Sequence, residues 1–277
     1  MSRSQRYMAV LGWVVATALL GGSLFQVASA RPSLILAQQL TAEDYYNRGI
    51  DKYRQADWRG AVEDYNRAIQ LDPDFASAYL NRGIALRRLG DYQAAIADYT
   101  KVLTLDPKKI NALFDRGIAR AAVGDLRGAI EDYSRFLQQQ PDVAAAYLNR
   151  GIAREQMGDK MGAMQDYAQT IRLSPNYSLI YYNRGNLLLE AGDHQSAIDN
   201  YTRAIRLNQS WGNRSLADAY FNRALAQVRL GRQRPAIDDY RKAAELYSQA
   251  GKPDEAQDAL DRIKRLLQPP KKPTKPQ

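Results

Sequence analysis

Glycine, tyrosine and proline recur in this chain at one interval. Gly49, Gly83, Gly117, Gly151 and Gly185 are each 34 residues apart, and so are Tyr65, Tyr99, Tyr133, Tyr167 and Tyr201, and Pro73, Pro107, Pro141 and Pro175. A sixth copy follows with Ala224 and Tyr240, each displaced by 39, so five additional residues, about Gly212 to Leu216, enter between copies five and six. A chain of this kind does not build one globule around a unique core. Each copy is a small unit whose apolar face is covered only by its neighbours, so the units must stack into a linear array with capped ends.

The spacing within one copy predicts a helix, a turn and a second helix. Gly90-Asp91, Gly124-Asp125, Gly158-Asp159 and Gly192-Asp193 mark the turn. Glycine takes the left-handed conformation that ends the first helix, A, and aspartate caps the second, B. Asp72-Pro73 and Asp106-Pro107 end helix B and open the next copy. The recurrent glycine of helix A is expected to face Ala61, Ala95, Ala129, Ala163, Ala197 and Ala236 of helix B, because helix axes cross closely only where side chains are tiny. The tyrosine of helix B then fills the space beside that crossing.

With copies begun at Ala42, Ala76, Ile110, Ala144, Ser178 and Ala217, the pattern resembles the tetratricopeptide (TPR) repeat. That family has an aromatic at repeat position 4, a small residue at 8, alanine at 20, an aromatic at 24 and proline at 32. Position 4 here is Tyr45, Tyr79, Leu113, Tyr147, Tyr181 and Tyr220. The resemblance covers residues 42–250 and implies an all-α fold, a right-handed superhelical solenoid of helix-turn-helix repeats over 42–75, 76–109, 110–143, 144–177, 178–211 and 217–250. Residues 251–268 are expected to supply a capping helix, since 253–267 read as amphipathic with Ala256, Leu260, Ile263 and Leu267 on one stripe. Residues 269–277 are too rich in proline and lysine to fold.

Two polar rows run through the copies. Position 7 is arginine throughout, Arg48, Arg82, Arg116, Arg150, Arg184 and Arg223, and position 23 is Asp64, Asp98, Asp132, Asp166, Asn200 and Asp239. Arg–Asp pairs along the stack are expected, and the alternative is an arginine row that binds phosphate or carboxylate. Position 6 reads Asn47, Asn81, Asp115, Asn149, Asn183 and Asn222. In the family this position lies on or near the concave groove, and the row resembles the asparagine ladder with which O-GlcNAc transferase holds an extended peptide. A carboxamide donates and accepts as a peptide unit does, at about 1 kcal/mol net per bond. The alternative is a local bond to the neighbouring helix. Positions 5 and 9, which include Tyr46 and Tyr182, give the groove an apolar and aromatic floor, while Arg87 and Arg88 would make its N-terminal half favour acidic segments. The lysine and asparagine pairing of the chaperone-tail clamp is missing from positions 5 and 9.

Residues 1–30 order as two arginines, an uncharged stretch from Met8 to Ala30 and a small-residue end at Ala28-Ser29-Ala30, the pattern of a secretory signal peptide. The 23 uncharged residues would also suit a signal anchor. Either reading places the repeats outside the cytoplasm, in the periplasm or a thylakoid lumen, after a linker at 31–41, with a membrane contact only through that segment. The Tyr-x-Asn-Arg-Gly style of the repeats has a bacterial, cyanobacterial character.

The formal charge is +9; without Arg3, Arg6, Lys271, Lys272 and Lys275 it is +4, spread along the repeats rather than gathered as a nucleic-acid footprint. There is no cysteine, and one histidine, His194, expected to be a solvated turn residue. No cofactor, metal cluster or nucleophile–base pair is predicted. The expected function is a non-catalytic scaffold that binds a protein or an extended peptide and assists assembly of an envelope or photosynthetic-membrane complex. An RNA-binding helical repeat, an accessory subunit of a separate enzyme, and self-association through the Pro-Lys tail are the alternatives.

Overall fold

The computed structural model describes residues 40–212 and 214–268, and the expected signal segment and tail lie outside them. Thirteen helices are present among the described residues. They are α1 (Ala42–Arg54), α2 (Trp58–Leu71), α3 (Ala76–Leu89), α4 (Tyr92–Leu105), α5 (Asn111–Ala122), α6 (Leu126–Gln139), α7 (Ala144–Gln156), α8 (Lys160–Leu173), α9 (Ser178–Glu190), α10 (His194–Leu207), α11 (Leu216–Arg229), α12 (Gln233–Gln249) and α13 (Pro253–Leu267). Odd-numbered helices up to α11 are the A helices of six repeats, and each packs on the B helix that follows it and, from α3 on, on the one before it. The result is an all-α solenoid.

The turns form as the residue types dictate. Gly90 is left-handed at φ 85°, while the first repeat places Ala56 there at φ 62°, a conformation that crowds a Cβ. Asp57, Asp91, Asp125, Asp159 and Asp193 each accept a backbone N–H two or three residues into helix B.

Successive A helices approach one another directly at α1–α3, α3–α5, α5–α7 and α9–α11, and successive B helices do not approach to the same degree. The A helices therefore line the inner side of the curve. One junction departs from the rest. Position 3, alanine in repeats two, three, four and six, is Ile180 in repeat five, fully buried against Ala163 and Tyr167. Position 10, alanine in the same four repeats, is likewise the larger Leu187 in this cluster, and α8 and α9 meet over less of their length than any other neighbouring pair.

Two expectations shift. The extra residues between repeats five and six lie at Asn208 to Ser215, because Leu216 already opens α11 behind a capping box of Ser215 and Asp218. The C-terminal helix does cap the stack, but its buried stripe is Ala256, Ala259, Ile263 and Leu266. Leu260 and Leu267 are 42% and 65% exposed. Both stripes fit a 3.6-residue period, and the partner surface decides between them. Arg262 stacks over Phe221 at 4.7 Å, and this side of α13 faces Phe221 and Tyr240.

Candidate functional site

The nearest neighbour of the recurrent glycine is the tyrosine ring of helix B. A Cβ on Gly117 would lie 2.7 Å from Cε1 of Tyr133, and one on Gly49 2.6 Å from Cε1 of Tyr65. The six tyrosines of helix B are almost wholly buried, and burial pushes the Tyr65 phenol up to about 12. The alanines are buried beside them.

On one edge of this core stands the arginine row, and it is a structural ladder. Nε and Nη2 of Arg82, Arg116, Arg150 and Arg223 grip both carboxylate oxygens of Asp98, Asp132, Asp166 and Asp239 at 2.6–3.0 Å. Arg48 holds Asp64 in the same way. The free Nη1 of each then reaches the preceding helix B, at Asn66, Thr100, Ser134 and Thr202, over 2.7–3.0 Å. One guanidinium thus ties the two helices of its own repeat to the repeat before. The fifth rung differs: Arg184 donates only Nε, to Oδ1 of Asn200 at 2.7 Å.

The other edge of the A helices faces the inner side of the curve. There the asparagine row is not uniform. Asn81 donates to the hydroxyl of Tyr46 at 3.1 Å, and Asn222 donates to the hydroxyl of Tyr182 and to Oδ1 of Asn186, each at 3.0 Å. Those two are occupied by bonds to the neighbouring helix. Asn149 is half-buried and forms no hydrogen bond among the described residues, Asn183 is buried, and Asn47 is exposed. Tyr182 is buried between Tyr201 and Trp211 of the inserted loop. Asp115 pairs with Arg87 at 3.5 Å, and burial raises its carboxyl while Arg87 opposes the rise. Arg88 is exposed and donates to the hydroxyl of Tyr53.

The junctions between A helices alternate. Between repeats one and two a cavity of about 270 Å³ opens among Ile50, Tyr53, Arg54, Tyr65, Asn81 and Ile84. Between repeats three and four a cavity of about 250 Å³ opens in the same register, among Ile118, Ala121, Ala122, Tyr133, Asn149, Ile152 and neighbours. Between them, at repeats two and three, the Arg87–Asp115 pair fills the equivalent place. At repeats four and five Glu155 fills it, accepting from the Tyr167 hydroxyl. At five and six, Asn186 accepts from Tyr201 and from Asn222. The side chains that close a junction come from position 12 at Arg87 and Glu155 and from position 9 at Asn186, and sequence reasoning weighed Arg87 but not Glu155. At repeats three and four the available clue is Ala121-Ala122, small where the other copies carry bulky or charged residues, whereas at repeats one and two the cavity opens with Tyr53 and Arg54 at the same positions.

His194 is half-buried at the start of α10 with Nδ1 buried and unpartnered, rather than fully solvated. Among the described residues no three metal-binding side chains come together, and no helix is long and apolar enough to cross a membrane.

Comparison with known proteins agrees with this geometry. A tetratricopeptide-repeat profile matches residues 46–110 and 114–178, and a second one matches 176–249. No curated protein matches the chain. Among solved structures, a MamA protein is similar at 27% identity and a TM-score of 0.57, covering 65% of this chain and 95% of that one. Pseudomonas aeruginosa pilF is similar at 17% identity and a TM-score of 0.63, covering 78% and 96%. YrrB, described as a TPR protein with an unusual peptide-binding site, is similar at 19% identity and a TM-score of 0.59, covering 72% and 99%. The repeat period, the glycine–tyrosine core and these matches give one conclusion: the chain belongs to the tetratricopeptide-repeat family.

Proposed function

We propose that this protein is a non-catalytic scaffold that holds an extended polypeptide along the inner faces of its A helices. The observation that carries the reading is the pair of cavities in one register, at repeats one and two and at repeats three and four, each with a position-6 asparagine in its wall. Each is large enough for one apolar side chain. Asn149, whose carboxamide is not committed to a neighbouring helix, can bond to a backbone amide beside the second cavity. The charged rung of Arg87 and Asp115 between them would meet a polar stretch of the ligand. This is strand-in-groove recognition, in which backbone bonds give affinity and pockets give specificity.

The residue order at 1–30 supports action outside the cytoplasm, as a cleaved or membrane-anchored exported protein, and the function proposed there is assembly of an envelope or photosynthetic-membrane complex. The test is a photoreactive residue placed at Asn149 in the native compartment, with one at Met161, 76% exposed on α8, as the control. The expected result is a polypeptide captured at Asn149 and lost when Ala122→Trp fills the cavity. Capture at Met161 alone overturns the reading.

A further inference from the structure

We propose that Arg184 is an oxyanion-binding site, formed where the arginine ladder lacks its carboxylate. Five of the six rungs are neutralised inside the protein by an aspartate. At the fifth, Asn200 stands at that place, and its carboxamide is held by its own bond from Nδ2 to the Ser196 carbonyl, so that Oδ1 accepts from Nε of Arg184. The second tie of the ladder is lost as well. Every other Nη1 with a preceding repeat reaches an oxygen on the B helix before it, and at the fifth rung that position is Ala168, which offers none.

Two η nitrogens therefore keep their donors free among the described residues. They are not sealed in the interior, since neither is among the buried atoms lacking a partner. A guanidinium with its two η nitrogens open presents parallel N–H donors spaced for two oxygens of one carboxylate or phosphate. The charge around it is also unbalanced. Arg184 and Arg203 both lie 5.8 Å from the centre of the Tyr181 ring, and neither makes an ion pair among the described residues. Burial lowers the pKa of Arg184 from its ordinary value, whereas the Asp98 partner raises that of Arg82. An arriving oxyanion would supply the negative charge that the other rungs already contain, on the face of the A helices opposite the cavity row.

Thermal midpoints of the full chain test this in phosphate, in acetate and in chloride at equal ionic strength. Ligand that binds only the folded state raises the midpoint, by about 4 °C at ten times its dissociation constant. The wild type is expected to show this rise over chloride, with phosphate alone if the site takes a phosphoryl group and with acetate also if it takes a carboxylate. Asn200→Asp reproduces the other five rungs, folds for the same reason they do, and is expected to lose the rise, as is Arg184→Gln measured against its own midpoint in chloride. Absence of any rise in the wild type, or an equal rise in Asn200→Asp, overturns the proposal.

Discussion

The two edges of the A helices make an instructive contrast. Along the ladder edge, position 7 is arginine in every repeat and the same bidentate geometry recurs at every rung but the fifth. Along the inner edge, positions 6, 12 and 13 change from repeat to repeat, and open cavities alternate with polar plugs. Repetition on the first edge follows from a problem that every unit shares, how to hold register with its neighbour. Variation on the second shows that no packing need is common to the junctions there. What differs between otherwise identical units is where a ligand can be told apart from the rod itself.

The contrast can be broken most forcefully at its most buried rung. Asp132 is 1% exposed and receives both Arg116 and Arg120, so Asp132→Ala removes the carboxylate that both guanidinium groups share. A loss of about 3–5 kcal/mol is expected, read by urea unfolding. Gly151→Ala places a Cβ 2.8 Å from the Tyr167 ring and 3.2 Å from Cβ of Asp166, and should lose about 1–3 kcal/mol by the same measurement. On the inner edge the outcome should invert. Ala122→Trp is expected to leave the midpoint unchanged while weakening ligand capture about tenfold, roughly 1.4 kcal/mol, measured by titration with the captured polypeptide.

The smallest effect belongs to Asp115→Asn, which makes position 6 carboxamide throughout. The pair with Arg87 is long and partly exposed, so stability at neutral pH should change by less than about 1 kcal/mol. Its pH dependence is more telling. Burial raises the Asp115 pKa above 3.8, so the folded state holds the proton more tightly than the unfolded state. Between 3.8 and the raised folded value this group's contribution therefore falls as pH rises, and is regained as pH drops through that value. Asp115→Asn should remove that slope from a series of acid-side unfolding curves.

Much of the architecture could be read before any coordinates. Glycine, tyrosine and proline at a fixed interval demand helix pairs, and arginine in all six copies opposite aspartate in five already implies their pairing. What could not be read depends on the partner surface. The phase of α13 was ambiguous because 256-260-263-267 and 256-259-263-266 both fit a helix, and only Phe221 and Tyr240 choose between them. Tyr182 belongs by position to the floor of the groove, yet Trp211, in residues that interrupt the period, covers it. The nearest neighbour of Gly117 is not legible for a similar reason: the ring of Tyr133, larger than the alanine, reaches it first. The cavity row depended on residues such as Ala121 and Ala122, which are defined by contrast between copies rather than by agreement among them.

Ile180 has a mechanical meaning. In a one-dimensional array, cooperativity passes only through nearest-neighbour interfaces and fails first at the weakest. The α8–α9 junction, where neighbouring helices meet least, divides the rod into a four-unit segment and a two-unit segment that carries its own end cap. Unfolding is expected to begin there, where neighbouring helices share the least surface.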